Sequence, residues 1–531
     1  MATATGVLDP PAGPPARASA RVGVWLPPLL LVVVSVLARL PALVNARGVN
    51  SDAAVVGLQA MHILHGEWSW FLWGAGYQAS LDAALVAAAF AITGPSALTL
   101  MVVPLIGYLV LVVLTYDVLR RAVGRGGAAV ACLPLVFAPQ PINGVALYAP
   151  RQWAITTAVL AVWLASRACG RRAPLWLAGS GFVAGFAVYL DLFTLQMMPA
   201  VGVFALWSAL TAPRGEPDVR PRVPLQRARA VGAILLGLAA GVAVIAWSRA
   251  QPVADGAKAG LTLDKIGASW TLMVEQCLPY LLGMKVFVQD PVTLEHHLWP
   301  APWPLQVIQA AAACTFVVAV CWATVAVVRR IGPVAVRGLG ALGLIGTAAS
   351  IGGFLVSTMP ADLLSARYLA PIIWFAPFTL APAAHALGTR WFAVGVAPLV
   401  VAVGIGGWFA YAPYVQDGIP VRDPRGVAQD EVVLADALRA QGIHYAAAQY
   451  WLAYRLTFLF DEDPVVVPLA GADDRYRPYR DGFAAAPVVA YVFHPSEPRA
   501  QWETEAARLD AEGTAYRREE IAGFTVLVVR R

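Results

Sequence analysis

Residues 97–118 read ALTLMVVPLIGYLVLVVLTYDV, an apolar run whose one charge, Asp117, stands next to its end. A helix needs about 20 such residues to cross the hydrocarbon core of a bilayer. Runs that reach or nearly reach that length recur at 22–44, 126–142, 152–168, 173–190, 194–212, 230–249, 303–328, 338–358, 368–387 and 391–411, which makes eleven. Composition agrees: 59% of the 531 residues are hydrophobic, 13% are charged and the mean hydropathy is +0.64. A soluble domain carries about 25% charged residues, and no water-soluble enzyme could hide this much apolar surface. The predicted fold class is therefore a polytopic α-helical membrane protein of about eleven transmembrane helices.

The arginines orient the spans. After every second run lie Arg120, Arg121 and Arg125, then Arg167, Arg171 and Arg172, then Arg214, Arg220, Arg222, Arg227 and Arg229, then Arg329, Arg330 and Arg337, then Arg390, with Arg17 and Arg21 ahead of the first run. Cytoplasmic loops collect such residues. The chain is thus predicted to sit in the cytoplasmic membrane with its N-terminus in the cytoplasm and everything after residue 411 outside. The same clustering accounts for the net charge of +6 without nucleic acid as a partner; membrane lipids are the expected surroundings. The five cysteines give no disulfide framework. Residues 1–21, rich in Pro and Ala, are expected to be a disordered cytoplasmic tail.

Residues 22–411 form the expected transmembrane domain, with long outside segments at 45–96 and 250–302. In the tail, 412–531, charge rises and apolar runs shorten. EVVLADALRAQG (431–442) and EPRAQWETEAARLDAEG (497–513) have helical spacing, while DPVVVPLAG (463–471), APVVAYVFH (486–494) and FTVLVVRR (524–531) read as strands. This alternation predicts a soluble extracytoplasmic α/β domain.

Function is sought in the outside segments. NSDAAVVGLQAMHILHGEWSW (50–70) begins with Ser51 as a helix N-cap and Asp52 in the first turn, where the helix dipole favours a carboxylate. Asp52, Gln59 and His62 share one stripe, and Val56, Ile63 and Leu64 can face lipid, so a helix in the membrane interface is expected. A second interfacial helix is expected to open near Asp82 and to end at Gly94 and Pro95. The neighbouring His296 and His297 lack the carboxylate and histidine spacing of a zinc site, and the same caution covers His62 and His65, which at three apart on a helix could bind a metal.

Taken in order, the first span, NSDAAVVGLQ, HGEW, GAGYQASLDAAL (74–85), AITGPSALTLMVVPLIGYLVLVVLTYDVLRR (91–121), YAPRQWAITTAVLAVWLA (148–165) and SARYLAPIIW (365–374) resemble the GT-C membrane glycosyltransferases, especially the bacterial protein mannosyltransferase and aminoarabinose transferase group. The resemblance covers roughly residues 22–385. It implies a polyprenyl-phosphate sugar donor, transfer on the outer face and inversion at the anomeric carbon, with a glycan, lipid or protein as acceptor. The family often has two adjacent acids after its first span. Here Ala53 follows Asp52, so a paired-carboxylate or metal site does not carry over, no motif calls for a cofactor, and Asp52 is the sole matched base.

Transfer from a lipid phosphate needs a base for the acceptor hydroxyl and cations for the charge that develops on the phosphate. Asp52 fits the first role. Arg367, beside Tyr368 where an outside loop enters the tenth run, suits a phosphate in bidentate fashion. Arg151 faces the same side. The three lysines, Lys258, Lys265 and Lys285, all fall in the second outside segment, and Lys285 is a candidate phosphate contact. Asp191, at membrane depth, and Asp82, in the matched box, are candidate substrate contacts. The rival class is a transporter or flippase for a lipid-linked substrate, which would show repeated halves with broken helices; no internal repeat is visible. A structural or assembly protein would not call for a carboxylate at residue 52.

Overall fold

The computed structural model describes residues 17–44, 49–211, 223–249, 262–289, 296–298, 302–409, 429–494 and 500–531. Residues 1–16, the loop arginines Arg214, Arg220 and Arg222, Lys258 and the stretch 410–428 lie outside the described residues. The first helix already begins at Arg17, five residues inside the tail that composition marks as disordered.

Among the described residues each of the eleven apolar runs is mostly helical, with a break at 137–139 inside the run 126–142. Among the described residues seven helices are long and apolar enough to cross a membrane, among them Ala97–Val136 and Pro371–Trp408; Trp25–Ala38, Leu81–Thr93 and Gln152–Ser166 are shorter apolar helices. The two longest are each bent at a glycine with positive φ, Gly124 (75°) and Gly388 (71°), so what runs as one helix changes direction where a basic loop was expected. Close packing uses small residues. A Cβ on Gly237 would come within 2.0 Å of the Ala178 carbonyl oxygen, and Gly185 and Gly241 meet backbone to backbone, so the Ala173–Leu190 and Val223–Arg249 helices touch along paired small-xxx-small stripes.

The C-terminal part is an α/β domain, as the alternation of elements predicts. Its sheet has the order β6 (Val465–Pro468), β5 (Tyr445–Ala448), β7 (Val488–Phe493), β9 (Phe524–Arg530), β8 (Tyr516–Ile521). The first three strands are parallel, and β9 and β8 are antiparallel. Helices Gln429–Ala440, Tyr450–Leu459, Arg477–Ala485 and Trp502–Ala511 complete it.

This domain is not a separate bead. The Tyr450–Leu459 helix packs on the Ser51–Leu64 helix of the first outside segment, and one hydrophobic core runs from Val56, Leu58 and Phe90 into Leu452, Phe458 and Val467. Val56, expected to face lipid, is fully buried, and Ile63 packs against the same core, which leaves Leu64 exposed. The Ser51–Leu64 helix is therefore packed between protein layers along most of its length. Gly57 makes the approach possible: a Cβ there would lie 2.6 Å from the Phe458 ring. Gly57→Ala is expected to overpack the joint and destabilise it by about 1–3 kcal/mol, read as a lower melting temperature of the purified protein.

Candidate active site

The Ser51–Leu64 helix is capped by Asn50, whose side chain accepts from the Ala53 amide at 3.0 Å. Ser51, expected at that place, instead donates its hydroxyl to the Tyr450 carbonyl at 2.5 Å. The cap sets Asp52 in the first turn, lining a cavity of about 230 Å³. The wall is drawn from four parts of the chain: Asp52 and Val55 of this helix; Trp73, Tyr77 and Gln78 of the short β1–β2 hairpin (Phe71–Leu72 and Ala75–Ala79); Tyr148, Arg151, Arg367 and Tyr368 of the membrane part; and Tyr450, Trp451 and Arg475 of the C-terminal domain.

Asp52 is held at both oxygens. Tyr148 donates to Oδ2 at 2.8 Å and Tyr450 to Oδ1 at 2.5 Å, with an Arg475 guanidinium nitrogen 3.5 Å from Oδ1. Burial and the adjacent Asp52 carboxylate push the Tyr450 phenol far above its ordinary range, so it stays a donor. Arg475 is likewise raised: burial works against its charge, but Tyr450 and Asp52 outweigh it.

Arg151 has φ 101°, an unfavourable backbone for a residue with a side chain. Such conformations cluster at functional sites when their surroundings hold them. Here Asp82 accepts from the Arg151 amide at 3.2 Å, and Asp191 accepts from its guanidinium Nε at 2.8 Å and from Gln78 Nε2 at 2.8 Å. The guanidinium also lies 4.6 Å from the Phe193 ring centre. Asp82 and Asp191, expected to touch substrate, thus stand one layer behind the cavity and fix Arg151. The physical reason is burial: both are nearly sealed from solvent, Asp191 in an ion pair with Arg151 and Asp82 with Oδ2 on the Arg151 amide, its Oδ1 being without a hydrogen-bond partner among the described residues.

Arg367 and Tyr368 line the cavity as expected. One Arg367 nitrogen donates to the Tyr368 hydroxyl at 3.3 Å, its buried Nε has no partner, and among the described residues it meets no carboxylate. Lys285 is not in the wall; its ammonium donates to the Glu275 carbonyl at 3.1 Å, and Lys265 reaches the Pro360 carbonyl at 2.6 Å. His296 and His297 stand on β4 (His296–Leu298), in a hairpin with β3 (Phe287–Gln289). Among the described residues no group of three or more His, Cys, Asp or Glu side chains is placed to hold a metal ion.

Tyr148, Tyr450, Trp451 and Arg475 are wall residues that sequence reasoning did not single out. Tyr148 lies inside the quoted YAPRQW stretch. The others sit in AAAQYWLAYR and DDRYRPYR, aromatic and arginine clusters unusual for a small polar domain, but nothing local ties them to a residue some 400 positions earlier.

His62, at the far end of the helix from Asp52, faces a carboxylate with each ring nitrogen: Glu67 with Nδ1 and Glu462, from the C-terminal domain, with Nε2, both at 2.7 Å. Tyr476 donates to Glu67 at 2.9 Å, Tyr479 donates to Glu462, and Trp73 stacks on Tyr476 at 4.0 Å. Burial opposes the charged ring, but the bonds to Glu462 and Glu67 win and raise His62 above 6.5. A raised folded-state value means that this contribution is whole below pH 6.5 and is lost as pH climbs through the higher folded value. The glutamates are lowered, so theirs is present above 4.5 and lost as pH falls through the lowered values. The melting temperature of the purified protein is therefore expected to fall from pH 6.5 toward alkaline pH, with a flatter slope in His62→Gln.

Residues 79–215 match the family model for dolichyl-phosphate-mannose-protein mannosyltransferase. Among solved structures, the apo form of ArnT from Cupriavidus metallidurans aligns with a TM-score of 0.54 at 12% identity, over 96% of this chain and 98% of that one. The same protein bound to undecaprenyl phosphate aligns with a TM-score of 0.55 at 12% identity over the same shares. At that identity the likeness is one of fold, and it extends through the C-terminal domain. Against the curated proteins the chain has no match.

Proposed function

We propose that this chain is a membrane glycosyltransferase of the GT-C superfamily and moves a sugar from a polyprenyl-phosphate donor to an acceptor hydroxyl on the outer face of the cytoplasmic membrane, with inversion. The observation that carries the reading is the meeting in one cavity of a tethered carboxylate, Asp52, with Arg367, a half-buried guanidinium whose buried Nε has no partner and which meets no carboxylate among the described residues. A buried cation is costly without an anion beside it, and a donor phosphate supplies one. That the ArnT structure of the same fold holds undecaprenyl phosphate supports this choice of donor.

In this scheme Asp52 takes the proton of the acceptor hydroxyl as its oxygen attacks the anomeric carbon from the face opposite the phosphate. The bond between that carbon and the phosphate oxygen breaks, and polyprenyl phosphate departs with one more negative charge, which Arg367 receives. Arg151, pinned by Asp82 and Asp191, adds a second positive edge. Tyr148 and Tyr450 keep the carboxylate pointed into the cavity, and Tyr368 orients Arg367. Acceptor and sugar are named by the glycan that changes when the gene is removed. A strain lacking the gene is expected to lose one sugar from one envelope glycan and to accumulate the polyprenyl-phosphate sugar, both read by mass spectrometry. Unchanged glycan and donor pools would contradict the reading.

A further inference from the structure

The carboxylate of Asp52 is aimed from two sides that belong to different parts of the chain. Tyr148, from the membrane part, holds Oδ2. Oδ1 is held from the C-terminal domain, by the Tyr450 hydroxyl and the Arg475 guanidinium. Those two groups are themselves joined, Arg475 Nε donating to the Tyr450 hydroxyl at 3.0 Å. Arg475 reaches further: Nη1 donates to the Gly74 carbonyl at 2.8 Å, at the tip of the β1–β2 hairpin, and its amide donates to the Tyr454 hydroxyl at 2.6 Å. The fit at Gly74 is tight, with φ 62° and a Cβ position 2.6 Å from the Arg475 side chain.

The backbone carrying Asp52 is braced from the same domain. Ser51 donates to the Tyr450 carbonyl and accepts from the Arg455 amide at 3.3 Å. Arg455 also donates to the Val49 carbonyl at 2.7 Å and is paired in the core with Glu431. Each guanidinium nitrogen of Arg475 is thus directed at the protein's own groups, whereas Arg367 Nε has no partner among the described residues.

We propose that Arg475 and Tyr450 form a positioning pair, by which the C-terminal domain orients the Asp52 carboxylate for proton transfer without binding the donor phosphate. The proposal rests on Asp52 being the base. Tyr148 on one oxygen and the joined Tyr450 and Arg475 on the other leave a two-bond side chain one orientation. A misplacement of about 1 Å in such a group lowers a rate about a hundredfold. The domain is on this account a working part of the site, present because a carboxylate on a helix of the outside segment cannot be aimed by the membrane helices alone.

The test uses isolated membranes of the gene-deleted strain carrying the full chain at matched levels, with the product that wild type restores measured as a rate. Arg475→Met is expected to lower that rate about a hundredfold, and Tyr450→Phe to lower it less. Because both act on one oxygen of Asp52, the double variant should be no slower than Arg475→Met alone, whereas independent roles would multiply the losses. Arg475→Lys, which keeps the charge but not the fork, should recover part of the rate. Binding of undecaprenyl phosphate to the purified variants should stay within about threefold of wild type, well under the tenfold that 1.4 kcal/mol represents, and melting should show each variant folded. Multiplied losses, no recovery with lysine, or weakened undecaprenyl phosphate binding would overturn the pairing. An Asp52→Asn variant that still makes product would instead overturn the base assignment, so the two failures are separate.

Discussion

Asp52→Asn is expected to reduce sugar transfer about a hundredfold to ten-thousandfold, the usual contribution of a positioned general base. Asparagine has nearly the shape of aspartate and can still accept a hydrogen bond from one of the two tyrosines, so the cavity keeps its form. It cannot take a proton from the acceptor hydroxyl. The Arg475 charge would lose its partner, but at 3.5 Å and with a quarter of each side chain exposed that pair is a modest contributor to folding. Melting temperature and undecaprenyl phosphate binding should therefore stay near wild type while the rate collapses. The rate in isolated membranes, beside the melting curve of the purified variant, checks this; retained transfer would remove the enzymatic scheme.

Arg367→Met is expected to act on binding. A hydrogen bond to a charged group contributes about 1.5–3 kcal/mol, so loss of one phosphate contact should weaken undecaprenyl phosphate binding about tenfold to a hundred-and-fiftyfold. Arg151 should not replace it, because Asp191 already balances its charge and Asp82 holds its amide. Arg367→Lys should fall between, since an ammonium keeps the charge but loses bidentate geometry. The protein itself should tolerate methionine well, because a half-buried guanidinium with an unpartnered Nε and no carboxylate beside it among the described residues adds little to the fold, and an apolar chain of like length replaces it. Titration of the purified variants with undecaprenyl phosphate measures both effects. Equal affinities for arginine, lysine and methionine would place the phosphate elsewhere.

The membrane helices were legible because a span is a local property: twenty apolar neighbours suffice, whatever lies beyond them. The bends at Gly124 and Gly388 were not, since both glycines sit in basic stretches that also read as loops. Strands β6, β7 and β9 announced themselves as buried runs of valine, whereas β8, with Arg517, Arg518, Glu519 and Glu520 on the sheet edge, has no apolar pattern to find. Val56 shows a deeper limit. An apolar helix face looks the same whether lipid or protein covers it, and only the arrival of Phe458 and its neighbours decides.

At the site, Asp52, Arg151, Arg367 and Tyr368 could be named because each lies in a short motif or at a membrane boundary where a charge needs a reason. Their companions Tyr450, Trp451 and Arg475 could not, because their nearness to Asp52 exists only after the C-terminal domain folds back on the first outside segment. Asp82 and Asp191 were found for a sound cause, burial of a charge, but burial alone does not separate a residue that lines the cavity from one that holds a lining residue such as Arg151.

The most direct measurement is a cryo-electron microscopy structure of the full chain with undecaprenyl phosphate bound. The phosphate should lie against the Arg367 guanidinium, on the Arg151 side of the cavity and within one sugar's width of the Asp52 carboxylate. Phosphate density outside the cavity shared by Asp52, Arg367 and Arg475 would contradict it.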